Sequence, residues 1–165
     1  MSSWAESWAR SSPRNRIVLA TASTDLERRL QEATDGACLS LPLGPLPPNP
    51  AALFGHLGDA PRPELVVLDA GADPAPAIAL ATLFDVQCPG VTVIVVSPAA
   101  QEIGTDAMQA GVRAILDPSA DEPTIRSVLD RAYENTRTRS RDQDLLAAAA
   151  GPAQPGRVIT VASAK

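Results

Sequence analysis

The chain has 165 residues, enough for one hydrophobic core, and its formal net charge of −5 argues against non-specific binding to nucleic acid. Aromatic residues make up only 3% of the sequence, so aliphatic side chains must fill that core. No run of about 18 apolar residues predicts a membrane span, and no apolar segment near the N-terminus predicts a secretory signal. The two cysteines and the single histidine lack the spacing of a zinc site, so we expect a cytoplasmic protein without a metal site.

Strand and helix patterns alternate along the chain. Continuous apolar runs predict five strands, at 16–22, 38–43, 63–70, 90–98 and 112–120. Helical patterns follow them, at 23–34, 50–59, 74–87, 100–111 and from Ser119 onward. Two capping boxes, Thr24 with Glu27 and Ser119 with Glu122, predict where the first and last helices begin. Pro42 places the second strand at an edge of the sheet, because proline has no amide to donate.

The alternation predicts a parallel sheet covered by helices on both faces. Five strands in about 120 residues fit a flavodoxin-like, doubly wound α/β fold with the strand order 2-1-3-4-5. Folds of this kind bind ligands outside the carboxyl ends of the strands, near the switch between strands 1 and 3. The residues at the carboxyl ends of the strands are therefore the candidates for chemistry.

The composition predicts four regions. Residues 1–15 form a polar, serine-rich tail, which is either flexible or a docking peptide that uses Trp4 and Trp8 on one helical face. Residues 16–140 form the α/β domain. Residues 141–156 read as a linker because they lead into an alanine-, proline- and glycine-rich stretch. Residues 157–165 read as the first strand of another domain.

The ends of four strands carry a recognisable set of side chains. Strand 1 ends in Thr21-Ala22, strand 3 in Asp69, strand 4 in Ser97 and strand 5 in Asp117-Pro118. The ordered set resembles a response-regulator receiver domain. The resemblance implies that Asp69 stands at the phospho-acceptor position, Ser97 at the hydroxyl that reports phosphorylation, and Pro118 at the proline of strand 5.

Two elements of the receiver pattern are missing. Thr21 and Ala22 stand where the resemblance implies acids that help hold Mg²⁺, and Asp117 stands where it implies a lysine. Mg²⁺ needs charged oxygen ligands, and phosphoryl transfer relies on cations to neutralise the developing charge. A phosphorylated Asp69 would also be repelled by Asp117. We therefore predict a pseudo-receiver whose Asp69 is not a working phospho-acceptor.

Other interpretations of these positions stay open. Asp69 and Asp117 are also residues that commonly cap helices or begin turns. The domain is alternatively an active phospho-receiver with unusual metal ligands. A further alternative is a flavodoxin-like domain that binds a small ligand such as a nucleotide, although the segment after strand 1 lacks a phosphate-binding glycine loop.

The end of the chain, "RVITVASAK", resembles the first strand of a MinD/ParA-type ATPase. In that family the strand leads into a deviant Walker A loop, Lys-Gly-Gly-x-Gly-Lys-Ser/Thr, of which Lys165 would be the first residue. The two halves together resemble the TadZ/CpaE family of Tad (Flp) pilus assembly proteins and related septum-site proteins, and the composition suits an actinobacterium. ATP and Mg²⁺ are then expected for a following domain, and no cofactor or enzymatic activity for this chain.

The same resemblance implies how the domain acts. It would be a localisation and dimerisation module that recruits pilus or secretion proteins at a cell pole, septum or membrane-associated assembly. Receiver domains commonly pair through helix 4, strand 5 and helix 5, which makes Arg126, Arg131 and Tyr133 candidates for the interface. Alternatively, Tyr133 packs on the sheet and the arginines are solvated.

Overall fold

Five short aliphatic runs form one parallel sheet in the computed structural model, which describes residues 17–60 and 62–149. The strands are β1 (Ile17–Ala20), β2 (Cys38–Leu41), β3 (Leu65–Asp69), β4 (Thr92–Val96) and β5 (Ala114–Leu116). They lie in the order β2-β1-β3-β4-β5. The predicted fold class and strand order are therefore confirmed, and β2 with Pro42 after it lies at an edge.

Five helices cover the two faces of the sheet. They are α1 (Thr24–Ala33), α2 (Pro50–Gly55), α3 (Ala75–Gln87), α4 (Ala100–Gln109) and α5 (Glu122–Ala149). Successive strand residues point to opposite faces, so β1 sends Ile17 and Leu19 towards α1 and α5, and Val18 and Ala20 towards α2, α3 and α4. The α4 helix forms despite Gly104, because Ile103 and Ala107 are buried against the sheet.

The helix starts differ from the two predicted capping boxes. Ser23, rather than Thr24, caps α1, and its Oγ accepts a hydrogen bond from the amide three residues later at 3.3 Å. Asp121, rather than Ser119, caps α5, and its Oδ1 accepts from the amide three residues later at 3.0 Å. Neighbouring residues of capping type compete for this position, and the direction of the incoming chain decides which one reaches the amide.

The last helix is much longer than the sheet requires. It has 28 residues, a length of about 42 Å, and its last buried residue is Thr136. The Thr136 hydroxyl lies 2.5 Å from that of Thr92 on β4. The helix continues to Ala149, so residues 141–149 of the predicted linker are helical and exposed.

Some predicted features lie outside the described residues. These are the tail with Trp4 and Trp8, the remainder of the linker, and the C-terminal strand with Lys165. None of the helices in the described part of the chain has the length and apolar composition needed to cross a membrane. The cysteines are free thiols, and burial raises the pKa of Cys38 to about 12.

Candidate functional site

Asp69 lies at the carboxyl edge of the sheet with hydrogen bonds to both of its carboxylate oxygens. The hydroxyl of Thr21 donates to Oδ2 at 2.6 Å, and the amide of Gly71 donates to Oδ1 at 3.0 Å. The Thr21 hydroxyl in turn accepts a hydrogen bond from the amide of Ser23 at 2.9 Å. Asp69 is therefore held by its own turn and by the end of the neighbouring strand.

The register of the sheet brings Thr21 to Asp69. In the parallel pair of β1 and β3, Ala20 is the partner of Leu68. The residues that follow them, Thr21 and Asp69, therefore lie side by side. Thr21 is buried, and its hydroxyl needs a partner there. The sequence presents Thr21 as a missing acid, whereas the structure shows that it is a hydrogen-bond donor to the candidate acceptor.

Ser97 follows β4 and is also satisfied locally. Its hydroxyl oxygen accepts a hydrogen bond from the amide of Ala99 at 3.1 Å, and its own amide donates to the carbonyl oxygen of Leu116 at 3.0 Å. The side chain is buried. The hydroxyl thus stabilises the turn that leads into α4.

Asp117 begins the turn that follows β5. Its Oδ1 accepts hydrogen bonds from the hydroxyl of Ser119 at 2.5 Å and from the amide of the same residue at 2.7 Å. The pKa of Asp117 lies below its usual value, mainly because of the hydrogen bond from the Ser119 hydroxyl. The hydrogen bond from the Ser119 amide and the nearby charge of Arg29 lower it further. Because Asp117 is exposed, solvent reduces the repulsion that the sequence predicts between it and a phosphorylated Asp69.

Arg29 of α1 binds the loop between β5 and α5. Its Nη1 donates to the carbonyl oxygen of Ala120 at 2.9 Å, and its Nη2 donates to that of Pro118. The same guanidinium forms an ion pair with Asp25 at 2.9 Å. Nothing in the sequence pattern connects α1 to this loop, so the role of Arg29 could not be predicted from the sequence.

Replacing Arg29 by Ala should loosen this loop. We expect faster amide hydrogen exchange at residues 117–121 and a loss of about 1.5–3 kcal/mol in the free energy of unfolding, because two carbonyl oxygens lose a charged donor. The measurements are hydrogen exchange and urea unfolding. Arg28→Ala is the matched control, since the Arg28 side chain is 58% exposed, against 20% for Arg29, and its ion pairs are at the surface. Equal exchange in the two variants would contradict the assignment.

A cavity of about 260 Å³ opens beside Asp69. Its lining comes from the ends of β1 and β3, the loop after β2 and the start of α3: Ala22, Gly44, Pro45, Leu46, Asp69, Ala70, Gly71, Asp73 and Pro76. Ser97 and Asp117 are not among the lining residues. The cavity thus has Asp69 and Asp73 in its lining, and a hydrogen bond joins Asp69 to Thr21.

No protein-family model matches the sequence, and a search of curated proteins finds no match. Solved structures do match. NtrX from Brucella abortus has a TM-score of 0.61 at 18% sequence identity, and the match covers 78% of this chain and 29% of the NtrX chain. The signal receiver domain of an HD domain-containing protein from Pseudomonas fluorescens Pf-5 has a TM-score of 0.58 at 18% sequence identity. That match covers 76% of this chain and 99% of the other. The receiver domain of nitrogen regulatory protein C has a TM-score of 0.58 at 17% sequence identity, and the match covers 75% of this chain and 98% of that domain's chain.

The fold is that of a receiver domain. At these identities the likeness concerns the fold, and the chain corresponds to less than a third of the NtrX chain. The receiver fold explains why Asp69, Ser97 and Asp117 follow adjacent strands at one edge of the sheet.

Phosphorylation of a receiver domain requires Mg²⁺ beside the phospho-acceptor aspartate. The residues around Asp69 do not provide the charged oxygen ligands that this ion needs. The β1–α1 turn offers Thr21 and Ala22 instead of carboxylates. Asp73 uses one oxygen, Oδ1, to accept a hydrogen bond from the amide of Ala75 at 3.1 Å. Within the described ranges there is no group of three or more His, Cys, Asp or Glu side chains that could hold a metal ion.

Arg126, a predicted interface residue, lies on the side of α5 that faces α1. Its Nη2 donates to Glu122 Oε1 at 2.7 Å and to the carbonyl oxygen of Glu32 at 3.4 Å. Its Nη1 lies 3.8 Å from a carboxylate oxygen of Asp35. Arg126 therefore joins the two helices on one face of the domain.

The other two predicted interface residues differ in exposure. Tyr133 is buried in the core between α5 and the sheet, and the guanidinium of Arg137 lies 5.8 Å from its ring centroid. Arg131 is exposed on α5. The burial of Tyr133 favours packing on the sheet as its role, while the contribution of Arg126 and Arg131 to an interface stays a prediction.

Proposed function

We propose that this receiver-like domain works without phosphorylation, as a module for localisation, dimerisation and partner recruitment. The observation that carries the proposal is the hydrogen bond from Thr21 to Asp69, at the position where a phosphorylated receiver would hold acids for Mg²⁺. The exposed Asp117 supplies no cation for a phosphoryl group. Partner binding is then the proposed role of this edge of the sheet, without chemistry at Asp69.

The proposal extends to a larger TadZ/CpaE-like protein. In it, residues 157–165 begin a MinD/ParA-like ATPase domain, with Lys165 as the first residue of a deviant Walker A loop and with ATP and Mg²⁺ bound there. The protein would act in Tad/Flp pilus assembly, secretion or septum-site determination in an actinobacterium. It would be cytoplasmic and recruited to a pole, septum or membrane-associated assembly. Sequence resemblance supports this part of the proposal.

A phosphorylation assay tests the proposed function. We expect no stoichiometric acid-labile phosphate after incubation with acetyl phosphate and Mg²⁺, measured by intact mass. A receiver domain known to be phosphorylated serves as the positive control, treated in the same reaction. Stoichiometric phosphate that disappears in Asp69→Asn would establish an active phospho-receiver instead. Light scattering during size-exclusion chromatography measures the proposed dimerisation.

A further inference from the structure

We propose that the cavity beside Asp69 is a docking site for one basic side chain, an arginine, presented by a partner protein. The inference names the partner chemistry of the proposed function, and it rests on that function because Asp69 must remain an unmodified carboxylate. The cavity lies where β1 and β3 are adjacent, which is the switch point of the sheet and the usual ligand position in open α/β folds.

The size of the cavity favours a side chain over a larger ligand. Its volume of about 260 Å³ is below the range of about 300–1,000 Å³ that is typical of pockets for drug-sized ligands. One long side chain, anchored to a partner surface, matches the available space.

The charge of the cavity selects a cation. Asp69 and Asp73 are the charged side chains among the described residues that line it. Each accepts local hydrogen bonds, but a carboxylate oxygen has two lone pairs, so acceptor sites remain on both groups. With no cation in the lining, an incoming positive charge would meet two carboxylates and no repulsion from the cavity wall.

The walls of the cavity favour arginine over lysine. Pro45, Leu46, Ala70 and Pro76 provide apolar surface on which the methylene stem of a long basic side chain can pack. A guanidinium is planar, binds carboxylates through paired donors and is more weakly hydrated than an ammonium. Arginine thus satisfies both the carboxylates and the apolar walls.

The test is a titration of ¹⁵N-labelled protein with N-acetyl-arginine amide, without phosphodonor, followed by amide chemical shifts. We expect saturable shifts at Ala22, Gly44 and Gly71, and little response to N-acetyl-citrulline amide, which has a similar shape but no charge. Asp69→Asn should weaken binding by about tenfold or more, because it keeps the size and shape of the side chain and removes the charge. Asp106→Asn, at an exposed position on α4, is the control and should bind as the native chain does.

Several outcomes would overturn the proposal. These are the absence of saturable shifts, an equal response to the citrulline compound, or unchanged binding by Asp69→Asn. Tighter binding of Mg²⁺ alone at the same amides would make the site a metal site. A concentration-dependent dimer that N-acetyl-arginine amide dissociates would identify a second copy, rather than a partner protein, as the occupant. Because no phosphodonor is present, the result is independent of the phosphorylation assay.

Discussion

The double variant Ala22→Asp/Asp117→Lys should gain stoichiometric, acid-labile phosphate on Asp69 in acetyl phosphate and Mg²⁺, where the native chain gains none. Ala22 is exposed and lines the same cavity as Asp69, so a carboxylate there adds a charged Mg²⁺ ligand without displacing core residues. Lysine at 117 supplies the missing cation, and a well-placed cation changes phosphoryl-transfer rates by about 10³–10⁵. Intact mass spectrometry measures the incorporated phosphate.

The neutral variant Ala22→Asn/Asp117→Met is the control for this prediction. It changes the same positions without adding a carboxylate or a cation, so it should stay unphosphorylated. If the charged variant is as inert as the native chain, the missing charges are not what keeps Asp69 unmodified. In that case the hydrogen bond from Thr21 becomes the next cause to test, by Thr21→Ala in the charged background.

Phe84→Ala should destabilise the fold by about 3–5 kcal/mol in urea unfolding. Phe84 is 0% exposed on α3, and its ring meets that of Phe54 edge-to-face with centroids 5.8 Å apart. The guanidinium of Arg62 lies 5.3 Å from the Phe54 centroid. Because domains of this kind are stable by only about 5–15 kcal/mol, the loss removes a large share of the total.

A surface residue of the same helix controls for α3 itself. Val86 is 75% exposed, so Val86→Ala should change the free energy of unfolding by no more than about 0.5 kcal/mol. Should Phe84→Ala fail to fold, Phe84→Leu provides a smaller cavity that can be measured. Similar unfolding midpoints for the variants at positions 84 and 86 would contradict the assigned core.

Most of the fold was predictable because its signals are local. The apolar runs that became β1, β3 and β4 are buried on both faces, and the helical patterns between them require crossover connections that make the sheet parallel. Helix ends were less predictable. Ser23 and Asp121 cap the first and last helices, where the sequence predicts Thr24 and Ser119. The difference arises because the direction of the chain before each helix depends on the tertiary structure.

The site was predictable only in part. Asp69, Ser97 and Asp117 were located from the strand ends, and the structure places them after β3, β4 and β5 at one edge of the sheet. Their hydrogen-bond partners were not predicted. The sequence favours Asp117 as a repulsive neighbour of Asp69, whereas in the structure it bonds to its own turn at Ser119.

Hydrophobic pattern and residue identity were sufficient to predict the fold class, the strand order, and the lack of acids at positions 21 and 22 and of a lysine at position 117. Which side chains contact one another became visible only in the folded chain. Thr21 binds Asp69 across 48 residues of chain, and Arg29 binds the loop at Ala120 across 91. The cavity with Asp73 likewise combines three separate stretches of the chain. Such contacts depend on strand register and side-chain direction, which a local pattern does not encode.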